Sequence, residues 1–277
     1  MMINMIDLNG KSVIVVGSAA TLNNSNLGEL IDKFDVVIRA NVGYTKGFEK
    51  DVGSKHTIWA SWTPAGHYIT MNPDSELPTR TEWKKQIENA LTNEERNNIL
   101  NQIKEIWYVG QPTVRRKWLT NKSTWKEDIK IDKVFGSPRT VRLQNPASLS
   151  MFIREYKYKV PSTGLAILWI VSKIVDKFYF TGFDCCGRLS NCTNSHYYWD
   201  KKIINVPQHP HLFDVEAKIV MDMVDKGKMI ELKHGIDIEK SKSITQFEPR
   251  GCLHCGKITR KYFWEQDYCN QCGELNG

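Results

Sequence analysis

The sequence lacks the features that would place it in a membrane or outside the cell. It contains no run of about 18 apolar residues, the length a membrane-spanning helix requires. Residues 1–10 have no basic stretch followed by an apolar core, so they do not resemble a secretory signal peptide. Four of the seven cysteines form two C-x-x-C pairs and the other three crowd one segment, unlike a secreted disulfide framework. These absences predict a cytoplasmic protein without a membrane anchor.

The sequence also lacks a strong charge bias, internal repeats and low-complexity tracts. It has 277 residues, of which 41% are hydrophobic and 25% charged, which is the composition of a globular protein with one sizeable core and a small appendage. The net charge of +7 suits an anionic small substrate or an acidic surface, but many unrelated proteins share it. Composition alone therefore does not assign a function.

The first 61 residues have the pattern of a parallel α/β fold. Residues 12–16 form a β-branched run that ends at Gly17, residues 27–34 have helical spacing, and residues 35–39 form a second β-branched run. Strand, turn, helix and strand in this order predict a βαβ unit and a parallel sheet. Further elements are predicted downstream: strands over 56–61, 106–109 and 178–183, and helices from Thr92, over 146–153, 164–174 and 214–226.

Two predicted turns have the character of anion-binding sites. Gly17 and Ser18 open a turn between a strand and a helix, where backbone amides present partial positive charge. Asn41 follows the second strand, at the edge where ligands meet open α/β sheets. Ser162 and Thr163 precede an apolar helix and offer two hydroxyls. The same residues would also be found in a tight turn without a ligand, or in a helix cap that binds nothing.

Two histidines are candidates for acid–base chemistry. His196 lies beside Tyr198 in an aromatic segment, which suits a sugar face and a phosphate but would also suit a buried aromatic cluster. His211 and Glu216 are spaced H-x-x-x-x-E, with the histidine just before a predicted helix. Neutral imidazole is suited to accept a proton from a hydroxyl near neutral pH. A structural histidine could occupy the same place.

Together these segments resemble the sialylmotifs of glycosyltransferase family 29, the sialyltransferases. The stretch from Val15-Val16-Gly17 through Val37-Ile38-Arg39 to Gly47-Phe48-Glu49 and Asp51-Val52-Gly53-Ser54 resembles the long motif. The run Pro161-Ser162-Thr163-Gly164-Leu165 resembles the short motif, residues 195–200 resemble motif three, and His211 with Glu216 resembles the very short motif.

The resemblance implies a Rossmann-like parallel sheet flanked by helices, in the variant of the GT-A fold that sialyltransferases share. It implies an inverting transferase that moves sialic acid from CMP-sialic acid to a galactose-type hydroxyl of a glycan acceptor without a catalytic metal. His211 is then the general base, His196 the donor to the departing phosphate, and Glu216 an orienting residue. The donor-binding residues it implies are Gly17, Ser18, Asn41, Ser162, Thr163, Gly164 and Tyr198.

Two further features bear on this resemblance. No D-x-D motif occurs in the sequence, which agrees with a donor that leaves as a monophosphate, because one phosphate can be stabilised by hydrogen bonds and an imidazolium. Ser18 stands where the family usually has asparagine, and a hydroxyl cannot reproduce the two-sided hydrogen bonding of an amide. A different CMP-activated sugar acid, such as CMP-Kdo, therefore remains an alternative donor.

The C-terminus has the pattern of a zinc ribbon. Cys252 and Cys255 form one C-x-x-C pair, Cys269 and Cys272 form a second, and four thiolates at this spacing bind Zn²⁺ tetrahedrally. We therefore expect a catalytic domain over residues 1–235, a linker over 236–249 and a structural zinc module over 250–277. An inactive sialyltransferase-like protein that binds nucleic acid or protein through this module is a second hypothesis. Nucleic acid is not the partner we expect.

Overall fold

The structure is a computed structural model of the chain. It describes residues 6–41, 43–61, 92–109, 140–142, 146–158, 161–185, 188–189, 195–198, 200–203, 211–244, 250–251 and 258–259. The structural statements below concern these residues.

Seven strands form one sheet, and every neighbouring pair in it is parallel. They are β1 (Val13–Val16), β2 (Val36–Ala40), β3 (Ile58–Ser61), β4 (Glu105–Tyr108), β5 (Thr140–Arg142), β6 (Phe178–Thr181) and β9 (Met229–Glu231). Their order in the sheet is β5-β4-β3-β2-β1-β6-β9. Two antiparallel pairs lie outside the sheet: β7 (Ser195–Tyr197) with β8 (Asp200–Ile203), and β10 (Arg250–Gly251) with β11 (Ile258–Thr259).

The described helices connect these strands. They are α1 (Gly28–Asp32), α2 (Glu49–Val52), α3 (Asn93–Gln102), α4 (Pro146–Tyr156), α5 (Thr163–Ile174) and α6 (Phe213–Asp225), with short 3₁₀ turns at Ala20–Leu22 and Ile238–Ser241. Helix α3 begins at the predicted capping box, in which Thr92 and Glu95 bond each other's backbone amides.

Strand β1 lies inside the sheet, between β2 and β6, where the direction of strand addition reverses. The chain builds β2 to β5 on one side of β1, and then places β6 and β9 on the other side. In open parallel sheets, ligands bind in the crevice at the carboxyl ends of the strands that flank such a switch point. Here that crevice, called the switch crevice below, is expected at the carboxyl ends of β1 and β6.

Alternating residues of β1 supply the two sides of the hydrophobic core. Val13 and Val15 belong to a cluster that includes most of the apolar residues of α5, while Ile14 and Val16 belong to a second cluster with residues of α1. Helix α5 is buried along nearly its whole length, because it covers the centre of the sheet. Each Ile, Leu or Val buried in this way contributes about 1.5–3 kcal/mol.

The segment after β9 packs against the amino-terminal edge of the sheet. Ser243 exchanges backbone hydrogen bonds with residues that precede β1. Its amide donates to the Lys11 carbonyl at 2.9 Å, and its carbonyl accepts from the Gly10 amide at 2.8 Å. Lys242 contacts Asp35 at 2.8 Å. Burial alone would raise the pKa of Asp35, but hydrogen bonds from Lys242 and from Ser12 outweigh it and lower the pKa to about 2. Residues 236–244, placed in the predicted linker, thus contact the sheet in this structure.

The parallel α/β architecture predicted from the sequence is confirmed, and so are the predicted strands and helices within the described residues. Among the described elements, α2, β5, β9 and the β7–β8 pair were not predicted. In the described part of the chain, none of the helices combines the length and apolar character needed to cross a bilayer. The β10–β11 pair flanks the first C-x-x-C motif, but Cys252, Cys255, Cys269 and Cys272 lie outside the described residues.

Candidate active site

The turn after β1 is held tightly against the turn after β6. The Gly17 amide donates to the Thr181 carbonyl at 2.8 Å, and the Ala19 amide donates to the Gly182 carbonyl at 3.0 Å. A Cβ on Gly17 would lie 2.2 Å from the Gly182 carbonyl oxygen, well inside van der Waals contact. Glycine is therefore required at position 17, because the two backbones meet there without room for a side chain.

Phe183 joins this turn to the start of helix α5. A Cβ on Gly17 would lie 2.9 Å from Cε2 of Phe183, and a Cβ on Gly164 would lie 2.9 Å from Cε1 of the same ring. The two glycines predicted to bind the donor therefore line the edge of one aromatic ring. The long and short motifs meet at this point of the switch crevice.

Helix α5 directs its amino terminus to the same crevice. Ser162 is the N-cap residue and its hydroxyl accepts a hydrogen bond from the Leu165 amide at 3.2 Å. Thr163 and Gly164 form the first turn, which contains no acidic side chain. A 12-residue helix with this start presents partial positive charge, and it suits an anionic group.

Glu216 is a buried carboxylate that binds the turn at the start of α5. Its Oε1 accepts hydrogen bonds from the Ser162 amide at 2.7 Å and the Tyr158 hydroxyl at 3.2 Å, and its Oε2 accepts from the Ser162 hydroxyl at 2.6 Å. The residue is only 2% exposed. Burial raises the pKa of Glu216, while the Ser162 hydrogen bonds, nearby His211 and Tyr158 act in the opposite direction. Glu216 thereby ties the first turn of α6 to the first turn of α5.

His211 lies beside this carboxylate. Its Nδ1 is 3.9 Å from Oε1 of Glu216, which is too long for a hydrogen bond but short enough for a substantial electrostatic attraction once the ring is protonated. The ring is largely buried and packs edge-on against Phe213, with centroids 6.2 Å apart. The structure therefore brings together Ser162, His211 and Glu216, which come from two motifs distant in sequence.

Asn41 follows β2 and carries a polar atom suited to a ligand. Its backbone has φ of 56°, a left-handed conformation that asparagine tolerates, and its amide donates to the Ala60 carbonyl at 2.8 Å. Trp59 donates its indole N–H to the Asn41 carbonyl. The side-chain Oδ1 is buried and accepts no hydrogen bond from the described residues. A buried acceptor in this state favours a donor group from a bound molecule.

Tyr198 holds motif three against the turn after β1. Its backbone amide donates to the Ser18 carbonyl at 3.0 Å, and its hydroxyl donates to the Tyr44 carbonyl. Its ring packs edge-on against Phe48, with centroids 5.2 Å apart. Burial raises the pKa of Tyr198 well above the ordinary value, so the hydroxyl keeps the proton that it donates. In this structure the hydroxyl is engaged with backbone, and the contact to Ser18 is made by backbone atoms alone.

Arg39 is a buried residue whose side chain hydrogen-bonds to backbone carbonyls of the long motif. Its Nε donates to the Lys55 carbonyl at 2.9 Å and an Nη donates to the Val52 carbonyl at 2.8 Å, and the side chain is 1% exposed. Asp32 accepts hydrogen bonds from the Ser54 and Lys55 amides, both at 2.9 Å. These contacts fix the loop after α2. Arg39 and Asp32, two charged residues of the long motif, therefore hydrogen-bond to backbone carbonyls and amides of the same motif.

Seven of the ten predicted site residues fall into three groups. Ser162, His211 and Glu216 form one cluster, Gly17 and Gly164 meet at Phe183, and Ser18 meets Tyr198. Thr163 lies in the first turn of α5, and Asn41 lies at the carboxyl end of β2, the neighbour of β1. The backbone of His196 lies in β7, but its side chain is outside the described residues.

Sequence reasoning missed Tyr158, whose hydroxyl contacts both the Leu212 amide and Glu216. It lies three positions before Pro161 and outside every motif. Nothing in the spacing or composition around it distinguishes it from the neighbouring Tyr156. Its role depends on the packing of α4 and α6, which the local sequence does not reveal.

Comparison with known proteins gives a consistent result. Residues 7–228 match the sequence profile of glycosyltransferase family 29 (sialyltransferase). The chimpanzee (Pan troglodytes) CMP-N-acetylneuraminate-beta-galactosamide-alpha-2,3-sialyltransferase 4 is 28% identical over 83% of this chain and 67% of its own length. A rat (Rattus norvegicus) CMP-N-acetylneuraminate-beta-1,4-galactoside alpha-2,3-sialyltransferase is 51% identical over 18% of this chain and 14% of its own.

A crystal structure of a mammalian sialyltransferase aligns with a TM-score of 0.48 at 22% identity, covering 80% of this chain and 69% of that one. The chain spans no more than about two thirds of the length of the mammalian sialyltransferase 4 sequences it matches. The family match nevertheless covers most of this chain, including the whole sheet up to the start of β9. The chain therefore belongs to glycosyltransferase family 29, the sialyltransferase family of glycosyltransferase enzymes.

Proposed function

We propose that the chain transfers sialic acid from CMP-sialic acid to a galactoside hydroxyl, forming an α2,3 linkage with inversion at the anomeric carbon. Family membership supports the reaction type, and the names of the similar mammalian proteins support the donor, the galactoside acceptor and the linkage. The observation that carries the proposal is the cluster of His211, Glu216 and Ser162 at the carboxyl edge of the sheet. No catalytic metal takes part in the proposed reaction.

His211 acts as the general base in this proposal. The acceptor hydroxyl has a pKa far above neutrality, so it must lose its proton as its oxygen attacks the anomeric carbon. The bond between that carbon and the phosphate oxygen breaks, and its electron pair leaves with CMP. Because Nδ1 of His211 faces Glu216, we assign Nε2 as the atom that accepts the proton. The Glu216 carboxylate then stabilises the imidazolium that forms.

Backbone groups at the switch crevice would bind the donor. The first turn of α5, with the Thr163 and Gly164 amides, suits the phosphate or the sialic acid carboxylate, and Ser162 borders it while donating to Glu216. Asn41 Oδ1 would accept a hydrogen bond from the cytidine, whose ribose hydroxyls and cytosine amino group are donors. The donor would also contact the turn of Gly17 and Ser18, which Tyr198 borders and which the glycine holds close to Gly182. His196 is assigned as the proton donor to the leaving phosphate on resemblance alone.

The test is transfer by the purified full chain from CMP-sialic acid to β-galactosides, with CMP release and product linkage followed by NMR. We expect an α2,3-linked product, and we expect His211→Ala to lower kcat by at least about a hundredfold. His234→Ala is the matched control, because His234 is exposed and its Nε2 hydrogen-bonds the Ser25 carbonyl. Full activity of His211→Ala would contradict the assignment of the base. Faster transfer from CMP-Kdo would instead identify a different donor.

We also propose a structural zinc ion bound by Cys252, Cys255, Cys269 and Cys272. The spacing of the thiols supports the site, and so does the antiparallel pairing of Arg250 with Thr259, which brings the two ends of the first C-x-x-C segment together. When bound, the ion would supply folding energy to the C-terminal segment and no chemistry to the transfer. The domain boundaries and the cytoplasmic location remain predictions.

A further inference from the structure

The Tyr158 hydroxyl bridges Leu212, the residue after His211, and Glu216, the carboxylate beside His211. Tyr158 lies between α4 and α5 and is 7% exposed. Its hydroxyl accepts a hydrogen bond from the Leu212 amide at 3.1 Å and donates one to Oε1 of Glu216 at 3.2 Å. One oxygen atom therefore joins two points of α6 that lie on either side of its first turn.

The start of α6 lacks a side-chain cap of its own. Leu212 occupies the N-cap position, and its aliphatic side chain cannot accept a hydrogen bond from the first amides. In a capping box, an acidic side chain of the first turn would bond the N-cap amide directly. Here the Tyr158 hydroxyl stands between the two groups and bonds both. A residue from another element thus completes the cap.

The hydrogen bonds of the Tyr158 hydroxyl also affect His211, because Leu212 directly follows His211 in the chain. Fixing the Leu212 amide fixes the end of the peptide plane that carries His211. The same hydroxyl fixes Glu216, to which His211 is held at 3.9 Å. The Tyr158 hydroxyl therefore helps to position both the ring and the carboxylate, and Ser162 holds the carboxylate with it. The burial of Glu216 leaves little water to substitute for a lost donor.

We propose that Tyr158 is a positioning residue for the transfer reaction, acting through His211. This rests on the proposed role of His211 as the general base. Tyr158 does not need to touch either substrate. It holds the histidine in the orientation in which it takes the acceptor proton, so its loss lowers the rate of the chemical step and leaves substrate binding nearly unchanged.

The ring and the hydroxyl of Tyr158 have separable tasks. The ring packs against Phe152, with centroids 6.4 Å apart, within the core cluster. Phenylalanine would keep that packing and remove only the bridge. The chain also offers a matched control, because the Tyr156 hydroxyl donates to a carboxylate of the same helix, Oδ2 of Asp222, at the same distance of 3.2 Å. That bond lies far along α6 from His211.

The experiment compares Tyr158→Phe and Tyr156→Phe in the full chain, measuring kcat, KM for both substrates and Tm. We expect kcat to fall roughly 10- to 100-fold in Tyr158→Phe, as misplacement of a catalytic group costs rates of this order. KM should change by less than about threefold, and Tyr156→Phe should match wild type in kcat. Tyr158→Phe should have the lower Tm, because its loss leaves partners of a buried hydroxyl unpaired, but it should remain folded at the assay temperature. The proposal is overturned if the two variants have a similar kcat. It is also overturned if the lower kcat of Tyr158→Phe is fully explained by unfolding at the assay temperature.

The same set of proteins separates this proposal from the one on which it rests. His211→Ala that retains activity overturns both, because there is then no base to position. His211→Ala that is inactive, combined with an unaffected Tyr158→Phe, overturns only the role of Tyr158. Adding Tyr158→Phe to His211→Ala should cause no further loss of the residual rate, since the hydroxyl acts through that histidine. An additive loss would show that Tyr158 acts independently, contrary to the proposal.

Discussion

Replacing Gly17 by alanine tests whether the switch crevice depends on direct contact between two backbones. The new Cβ would lie 2.2 Å from the Gly182 carbonyl oxygen, whereas real Cβ contacts essentially never fall below 3.0 Å. The ends of β1 and β6 must therefore separate by at least 3.0 − 2.2 = 0.8 Å. Such overpacking costs about 1–3 kcal/mol. The two hydrogen bonds that join the turns would also weaken, at about 1 kcal/mol each.

A combined loss of about 3 kcal/mol corresponds to a decrease in Tm of roughly 6–12 °C for a domain of this size. Differential scanning calorimetry measures that decrease, and isothermal titration measures CMP binding, which should be lost along with the geometry of the turn. The reasoning is refuted if Gly17→Ala melts within about 2 °C of wild type and binds CMP equally well.

Two other glycines provide the controls. Gly164→Ala would place a Cβ 2.9 Å from the Phe183 ring, which can shift more readily than a backbone carbonyl, so its Tm should fall less. Gly227 has φ of +67° and no atom within 4 Å of the position that a Cβ would take, so Gly227→Ala measures conformational strain alone, about 1 kcal/mol. The expected order of destabilisation puts Gly17 first.

Three further changes give independent tests. Asn41→Gly keeps the left-handed backbone but removes Oδ1, so CMP should bind about tenfold more weakly by calorimetry while Tm changes little. Asp35 has a pKa of about 2 in the folded protein, against an ordinary value of 3.8. Its ionised carboxylate therefore stabilises the fold above pH 3.8, and this stabilisation is lost as the pH falls toward 2. The urea midpoint should therefore drop less in Asp35→Asn than in wild type between pH 6 and pH 3. Elemental analysis should find one zinc ion per chain, and Cys255→Ser should lower that content.

The strands and helices that bury a continuous apolar face were predictable from the sequence. Strand β1 and helix α5 are recognisable because burial on every side demands unbroken runs of apolar residues. The capping box at Thr92 was predictable because its hydrogen bonds are local. In contrast, β9 has only one buried residue, Met229, and its pattern carries no strand signal. Helix α2 is a single turn whose letters are mostly charged.

The motifs supply candidate site residues, but they do not predict the contacts among them. The spacing of His211 and Glu216 suggests that the carboxylate orients the ring. The structure shows that Glu216 bonds Ser162 most closely, at 2.6 and 2.7 Å, and reaches His211 only at 3.9 Å. That preference depends on the position of α5 relative to α6, which are brought together by packing on the sheet. No local pattern specifies such a pairing.

Glu216 connects the stability of this domain to its chemistry. A buried carboxylate is unfavourable unless donors compensate for the loss of water, and three donors do so here: the Ser162 amide, the Ser162 hydroxyl and the Tyr158 hydroxyl. Those donors lie on the segments that precede and begin α5, while Glu216 and His211 lie at the start of α6. The carboxylate can therefore remain charged beside His211 only while both helix starts are in place. It follows that the fold at this edge of the sheet and the electrostatic environment of the proposed base are set by one group.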